Sequence, residues 1–200
     1  MIADDVAAAG PALRVALLLH TLGAREFEDT ERAVRAIADG LRVRGHRPTI
    51  ISSHLGPRER RADAIVVRRL PERLLRARGF TGPLTHGGGA VGELLRGRFD
   101  VVQVFTPEDM APAVAWRRIT QGRLVFTSIE PMGREVLADR RLRMRLVSMA
   151  VEGGHPVTAG STAAQTALER WLAVTAPVVA PGELEPYEEP VSSDLPSVSR

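Results

Sequence analysis

The sequence contains no cysteine in its 200 residues. A disulfide framework, a thiolate metal site and a cysteine nucleophile are all excluded on that ground, and the absence fits a reducing compartment. Lysine and asparagine are missing as well. All 27 basic residues are therefore arginine, and against 24 acidic residues they leave a formal net charge of only +3. Guanidinium groups offer phosphate a planar fork of donors, but solvated helix faces account for most of them. Aromatic residues are scarce, with two tryptophans, one tyrosine and five phenylalanines. None is interleaved with arginines as a platform on which bases would stack, so nucleic acid is not expected as a partner. Long apolar runs are absent too. The longest, Val15 to Leu19, is far short of the roughly 18 to 20 residues that a membrane-spanning helix needs. The opening MIADDVAAAGPA carries two aspartates where a secretory signal would carry positive charge. A cytoplasmic location is expected. Histidines stand singly at positions 20, 46, 54, 86 and 155, with no pair at helical ligand spacing, so neither a metal nor another cofactor is expected.

What is present is enough apolar content, 44%, for one full core. Short apolar runs alternate with helix-period segments almost from end to end, the pattern of βα units and a mostly parallel sheet. Strands are expected at Leu13 to Leu19, Arg47 to Ser52, Ala64 to Arg68, Phe99 to Phe105, Arg123 to Ser128, Pro156 to Ala159 and Ala176 to Ala180. Runs such as VALLL and VVQVF lack alternation, which suits a sheet covered by helices on both faces. Val34, Ile37, Ala38 and Leu41 form one apolar stripe of a helix, capped near Asp29 or Thr30 and ended at Gly45. Further helices are expected over Met110 to Ile119, Arg134 to Val151 and Thr162 to Val174, with Ser161 as N-cap of the last. Residues 1–12 and the Pro/Ser/acidic stretch 183–200 are expected to be disordered, leaving 13–182 as the folded domain.

Three local features invite sharper readings. Gly87 to Gly92 formally fits the G-x-G-x-x-G fingerprint, but LTH rather than a strand leads into it, so it is read as a flexible lead into a helix around Glu93 to Arg96. Ser161 sits between a strand and a helix, yet Ala159 and Ala163 stand where a nucleophile elbow wants glycine; capping is the better account. The helix bearing Arg140, Arg141, Arg143 and Arg145 is first a solvated face, and next a peripheral contact with an anionic membrane surface.

The runs RVALLLHTLG, ERAVRAIADGLRVRGHRPTII, ADAIVVRRLP, FDVVQVFTP and RLVFTSIEP, closing with VTAGSTAAQTALERWLAVTAPVVAPGE, resemble in order and spacing the N-terminal domain of family 4 glycosyltransferases of the GT-B architecture, over roughly Leu13 to Gly182. The resemblance implies a single Rossmann-like α/β domain with a mostly parallel sheet of about seven strands and helices on both faces. Its strand ends would form the acceptor-side wall of a cleft, while a second domain or a separate donor-binding subunit holds the nucleotide sugar. Ligands of open α/β sheets lie beyond the carboxyl ends of the strands. By that rule His20 and Glu130 are the candidate catalytic residues, and Thr21, Gly23, Thr106, Glu108, Thr127, Ser128 and Ser161 the candidate acceptor-binding residues. Two departures stand out. Gly23 is alone where the family has paired glycines, and Ile129 occupies the position of a histidine that many members use. The donor-binding domain with its paired glutamates is not expected within this sequence, so the chain alone is not expected to transfer sugar efficiently. The alternative is a non-catalytic relative that binds a sugar, a lipid head group or a partner enzyme.

Overall fold

The computed structural model describes residues 11–19, 28–52, 66–69, 83–131 and 141–179. In chain order the elements are β1 (Arg14–Leu18), α1 (Glu28–Val43), β2 (Arg47–Ser52), β3 (Val66–Arg69), α2 (Pro83–Gly97), β4 (Val101–Val104), a 3-10 turn (Pro107–Asp109), α3 (Met110–Thr120), β5 (Arg123–Ser128), α4 (Arg141–Glu152), β6 (Val157–Ala159) and α5 (Thr162–Leu172). The six strands make one sheet in the order β3-β2-β1-β4-β5-β6, every pair parallel. This is the doubly wound Rossmann order, in which the chain reverses direction across the sheet between β1 and β4. The segment expected as a seventh strand contributes a single parallel bridge between Ala159 and Val178, with Val179 N–H donating to the Ala159 carbonyl at 2.8 Å.

The apolar runs without alternation are explained by two cores, one on each face of the sheet. Val15, Leu17 and Leu19 point to one side, where the α1 stripe of Val34, Ile37, Ala38 and Leu41 covers them together with Ile50, Val101 and Val125. Ala16 and Leu18 point to the other side, into a larger core with Val102, Val104, Phe126 and the buried faces of α2, α3, α4 and α5. A parallel strand buried on both faces must be apolar at successive positions, not alternate ones.

Helix ends match or correct the sequence reading in specific ways. Gly45, at φ 85°, closes α1 as expected: its N–H reaches the Arg42 carbonyl and that of His46 the Leu41 carbonyl, each at 2.9 Å, the double bond of a Schellman ending. His46 then holds the turn to the sheet, its Nδ1 accepting from Leu13 N–H at 3.2 Å. Ser161 caps α5 by accepting from Ala164 N–H at 3.1 Å. Thr30 lies inside α1, and its hydroxyl is used for a long-range bond described below. The Gly87 to Gly89 run is not a lead into a helix but part of α2 itself. Glycine costs about 1 kcal/mol per residue in a helix interior, which α2 offsets by burying Ala90 and Leu94 completely.

Candidate functional site

The carboxyl ends of β4, β5 and β6 bring together most of the described candidates. The end of β5 is the best defined. Ser128 is 3% exposed and donates its hydroxyl to the Glu130 backbone carbonyl at 3.0 Å, which bends the chain out of the strand. Glu130 is thereby lifted to the exposed rim, where its carboxylate accepts from the Thr30 hydroxyl at 2.9 Å. That bond ties the first turns of α1 to the β5 loop, a hundred residues further along the chain. Beside it, Gly160 N–H donates to the Ser128 carbonyl at 2.8 Å. A Cβ at Gly160 would lie 2.9 Å from Ile129 Cδ1 and 3.3 Å from Ile129 Cα, so the β6 loop packs closely onto the end of β5. Ser161 follows directly, half-buried, with its oxygen engaged as the cap of α5.

At the end of β4, the Thr106 hydroxyl donates to the buried Asp109 carboxylate at 2.6 Å, across the 3-10 turn that carries half-buried Glu108. These bonds give the β4 and β5 loops a fixed shape while leaving carboxylates at the rim. Glu130 thus stands at the strand-end rim, the edge of the sheet where open α/β folds take ligands.

Thr127 is placed differently from its neighbours. It is 3% exposed, and its hydroxyl accepts from Gln103 Nε2 at 2.7 Å and shares a hydrogen bond with the Thr158 hydroxyl at 2.8 Å. Thr127 and Thr158 are register partners on β5 and β6, while Gln103, opposite Val125 on β4, reaches Thr127 along the strand, so the three form a buried polar ladder across three adjacent strands. In this arrangement Thr127 locks the strands beneath the rim. The ladder was visible in the sequence as polar residues interrupting VVQVF, LVFTS and VTA on one face. The Thr30–Glu130 bond carried no local signal, because it joins segments far apart in the chain.

His20, Thr21, Gly23 and Arg140, and the segments 1–10 and 183–200, lie outside the described residues, as do the side chains of Arg141 and Arg143. Arg145 is exposed on α4. Among the described residues no group of three His, Asp or Glu side chains could hold a metal ion, and no helix is long and apolar enough to cross a membrane.

Comparison with known proteins agrees with the geometry. The model of Glycosyltransferase Family 4 matches residues 30–182. Among solved structures, Anabaena Alr3699/HepE in complex with UDP and glucose superposes with a TM-score of 0.61 at 17% identity, over 84% of this chain and 44% of its own. A glycosyltransferase from Rickettsia africae gives 0.59 at 13% identity, over 84% of this chain and 43% of its own. Acinetobacter baumannii MurG gives 0.55 at 14% identity, over 90% and 48%. The chain spans less than half the length of these three proteins. A search of curated proteins returns no significant match. With a family model covering most of the sequence and a parallel sheet in the order shared by Rossmann-like folds, the chain belongs to glycosyltransferase family 4 and has the fold of the N-terminal domain of a GT-B glycosyltransferase.

Proposed function

We propose that this domain forms the acceptor-side wall of a sugar-transfer site, with the donor nucleotide sugar held by a second Rossmann-like unit facing the carboxyl ends of the strands. The observation that carries this reading is the Glu130 mount. An exposed carboxylate is fixed at the strand-end rim by Thr30 and by the Ser128 bend, on the edge of the sheet where open α/β folds take ligands. A carboxylate so held suits an acceptor hydroxyl, accepting its hydrogen bond and, during transfer, its proton. Thr106, Glu108 and Ser161 flank it as acceptor contacts, and His20, Thr21 and Gly23 belong to the same strand-end group by their place after β1. The HepE structure, with UDP and glucose bound, supports a nucleotide-sugar donor for the assembled enzyme. The domain acts in the cytoplasm, and the arginine-rich stretch of Arg140, Arg141, Arg143 and Arg145 is the candidate for any peripheral membrane contact.

One observation favours a second reading. Ile129, at the position where the resemblance expects a histidine, packs against the α1-side core, so nothing at that position handles a proton. A non-catalytic relative that binds sugar or a partner enzyme would have this feature.

The absence of cysteine makes a direct test simple. Single cysteines introduced at Glu108, Glu130 or Ser161, and at Val43 or Arg98 on the opposite edge, are coupled to a photocrosslinker in extract of the source cells. The expected result is crosslinking from the strand-end positions to a polypeptide that binds nucleotide sugar. Crosslinks to such a polypeptide only from Val43 or Arg98 would overturn the proposal.

A further inference from the structure

A second cleft lies at the other edge of the molecule, between the carboxyl-terminal ends of α3 and α4, away from the strand-end rim. Its volume is about 290 Å³, and Arg117, Arg118, Val114, Met149, Glu152 and His155 line it. That size is at the lower end of clefts that hold small molecules, roughly 300 to 1,000 Å³.

The charges in this cleft do not neutralise one another. Arg117 and Arg118 come from the last turn of α3 and Glu152 from the end of α4. All three are exposed, and among the described residues none makes an ion pair. The carboxyl ends of two helices also converge here, each bringing a partial negative charge of about half a unit. One side of the cleft therefore presents two guanidinium forks. The other, on α4, presents the Glu152 carboxylate. Val114 and Met149 supply an apolar wall between them, with His155, only 8% exposed, against the cleft.

We infer that this cleft is a second binding site, distinct from the strand-end site, for a small zwitterion with an apolar side chain, the chemistry of an aliphatic or aromatic α-amino acid. The ligand carboxylate meets Arg117 and Arg118, its ammonium group meets Glu152 and the helix ends, and its side chain lies along Val114 and Met149. A purely anionic ligand would face Glu152 and two helix carboxyl ends without compensation. A purely cationic one would face two guanidinium groups. Only a molecule carrying both charges satisfies both sides.

The test is calorimetric titration of the full chain with leucine and with its two half-molecules, isocaproate, which lacks the ammonium group, and isoamylamine, which lacks the carboxylate. Saturable leucine binding is expected, weakened about tenfold or more by Arg117→Ala and by Glu152→Gln, the size of losing one charge-assisted hydrogen bond. Both side chains are exposed, so the variants should melt with the unaltered protein. Isocaproate or isoamylamine binding as tightly as leucine would overturn the inference, as would the lack of saturable binding by leucine, methionine and phenylalanine alike. In the unaltered protein, leucine should also move the imidazole resonances of His155. Movement confined to residues elsewhere in the fold would place the ligand at another site and refute the assignment.

Discussion

Replacing Thr127 with valine tests whether the buried ladder holds the strand ends together. Valine keeps the shape of threonine but removes the hydroxyl that accepts from Gln103 Nε2 at 2.7 Å and bonds Thr158 at 2.8 Å. Thr127 and Thr158 are 3% and 2% exposed, so water does not readily replace the lost partner. Emptying one side of a buried hydrogen bond costs about 1–3 kcal/mol, and Thr127 serves two, which puts the loss at about 2–3 kcal/mol. For a domain of this size that lowers the melting temperature by roughly 4–12 °C. Urea unfolding followed by circular dichroism should show a lower midpoint with an unchanged slope. The combined change of Gln103→Leu, Thr127→Val and Thr158→Val should cost less than the sum of the single changes by more than about 1 kcal/mol, because no polar group is then left facing an apolar one. A Thr127→Val loss below about 0.5 kcal/mol, within the range of an ordinary surface change, would refute the ladder as a stabilising element.

Two further changes probe the core and the second cleft. Gly122→Ala would place a Cβ 2.3 Å from Trp116 Cη2, and because that ring is completely buried, overpacking should cost about 1–3 kcal/mol and alter the tryptophan near-ultraviolet signal. His155 titrates below its ordinary value of 6.5, because burial disfavours its charged form and Arg117 repels it. Between the lowered value and 6.5 the unfolded chain binds more protons than the folded one, so this contribution to stability is complete above that window and declines as pH falls through it. Urea midpoints measured from neutral pH down to about 5 should fall less steeply in His155→Gln than in the unaltered protein.

Much of the fold was legible because it rests on local patterns. β2 and β5 have the bounds expected from their apolar runs, and the α1 stripe covers the face its periodicity implied. The order of the strands was not legible, since periodicity says nothing about which strand lies beside which. The glycine run at 87–89 misled because propensity is a weak prior: burial of Ala90 and Leu94 holds the helix that glycine alone would not form. Glu130 and Ser128 were singled out by their place at the end of a strand, a rule that needs only topology, and the structure puts both at the carboxyl end of β5. That Thr30 would turn from a cap into the partner of Glu130 depends on how α1 crosses the sheet, and no local pattern encodes it. The α3–α4 cleft was likewise invisible, since Arg117, Glu152 and His155 are brought together only by the parallel packing of two helices.

The central claim, that the strand-end rim is a wall of the transfer site, is tested most directly by one substitution that removes charge without removing structure. Glu130→Gln keeps an oxygen to accept from Thr30 and deletes the carboxylate. Transfer from labelled nucleotide sugars would be measured with the chain together with the donor-binding unit proposed for it, comparing Glu130→Gln with Val43→Ser, a change at an 88% exposed residue on the opposite edge. Turnover reduced about a hundredfold or more in Glu130→Gln, with an unchanged melting temperature and full activity in Val43→Ser, is the expected result. Full activity in Glu130→Gln would contradict the assignment of this rim to the reaction.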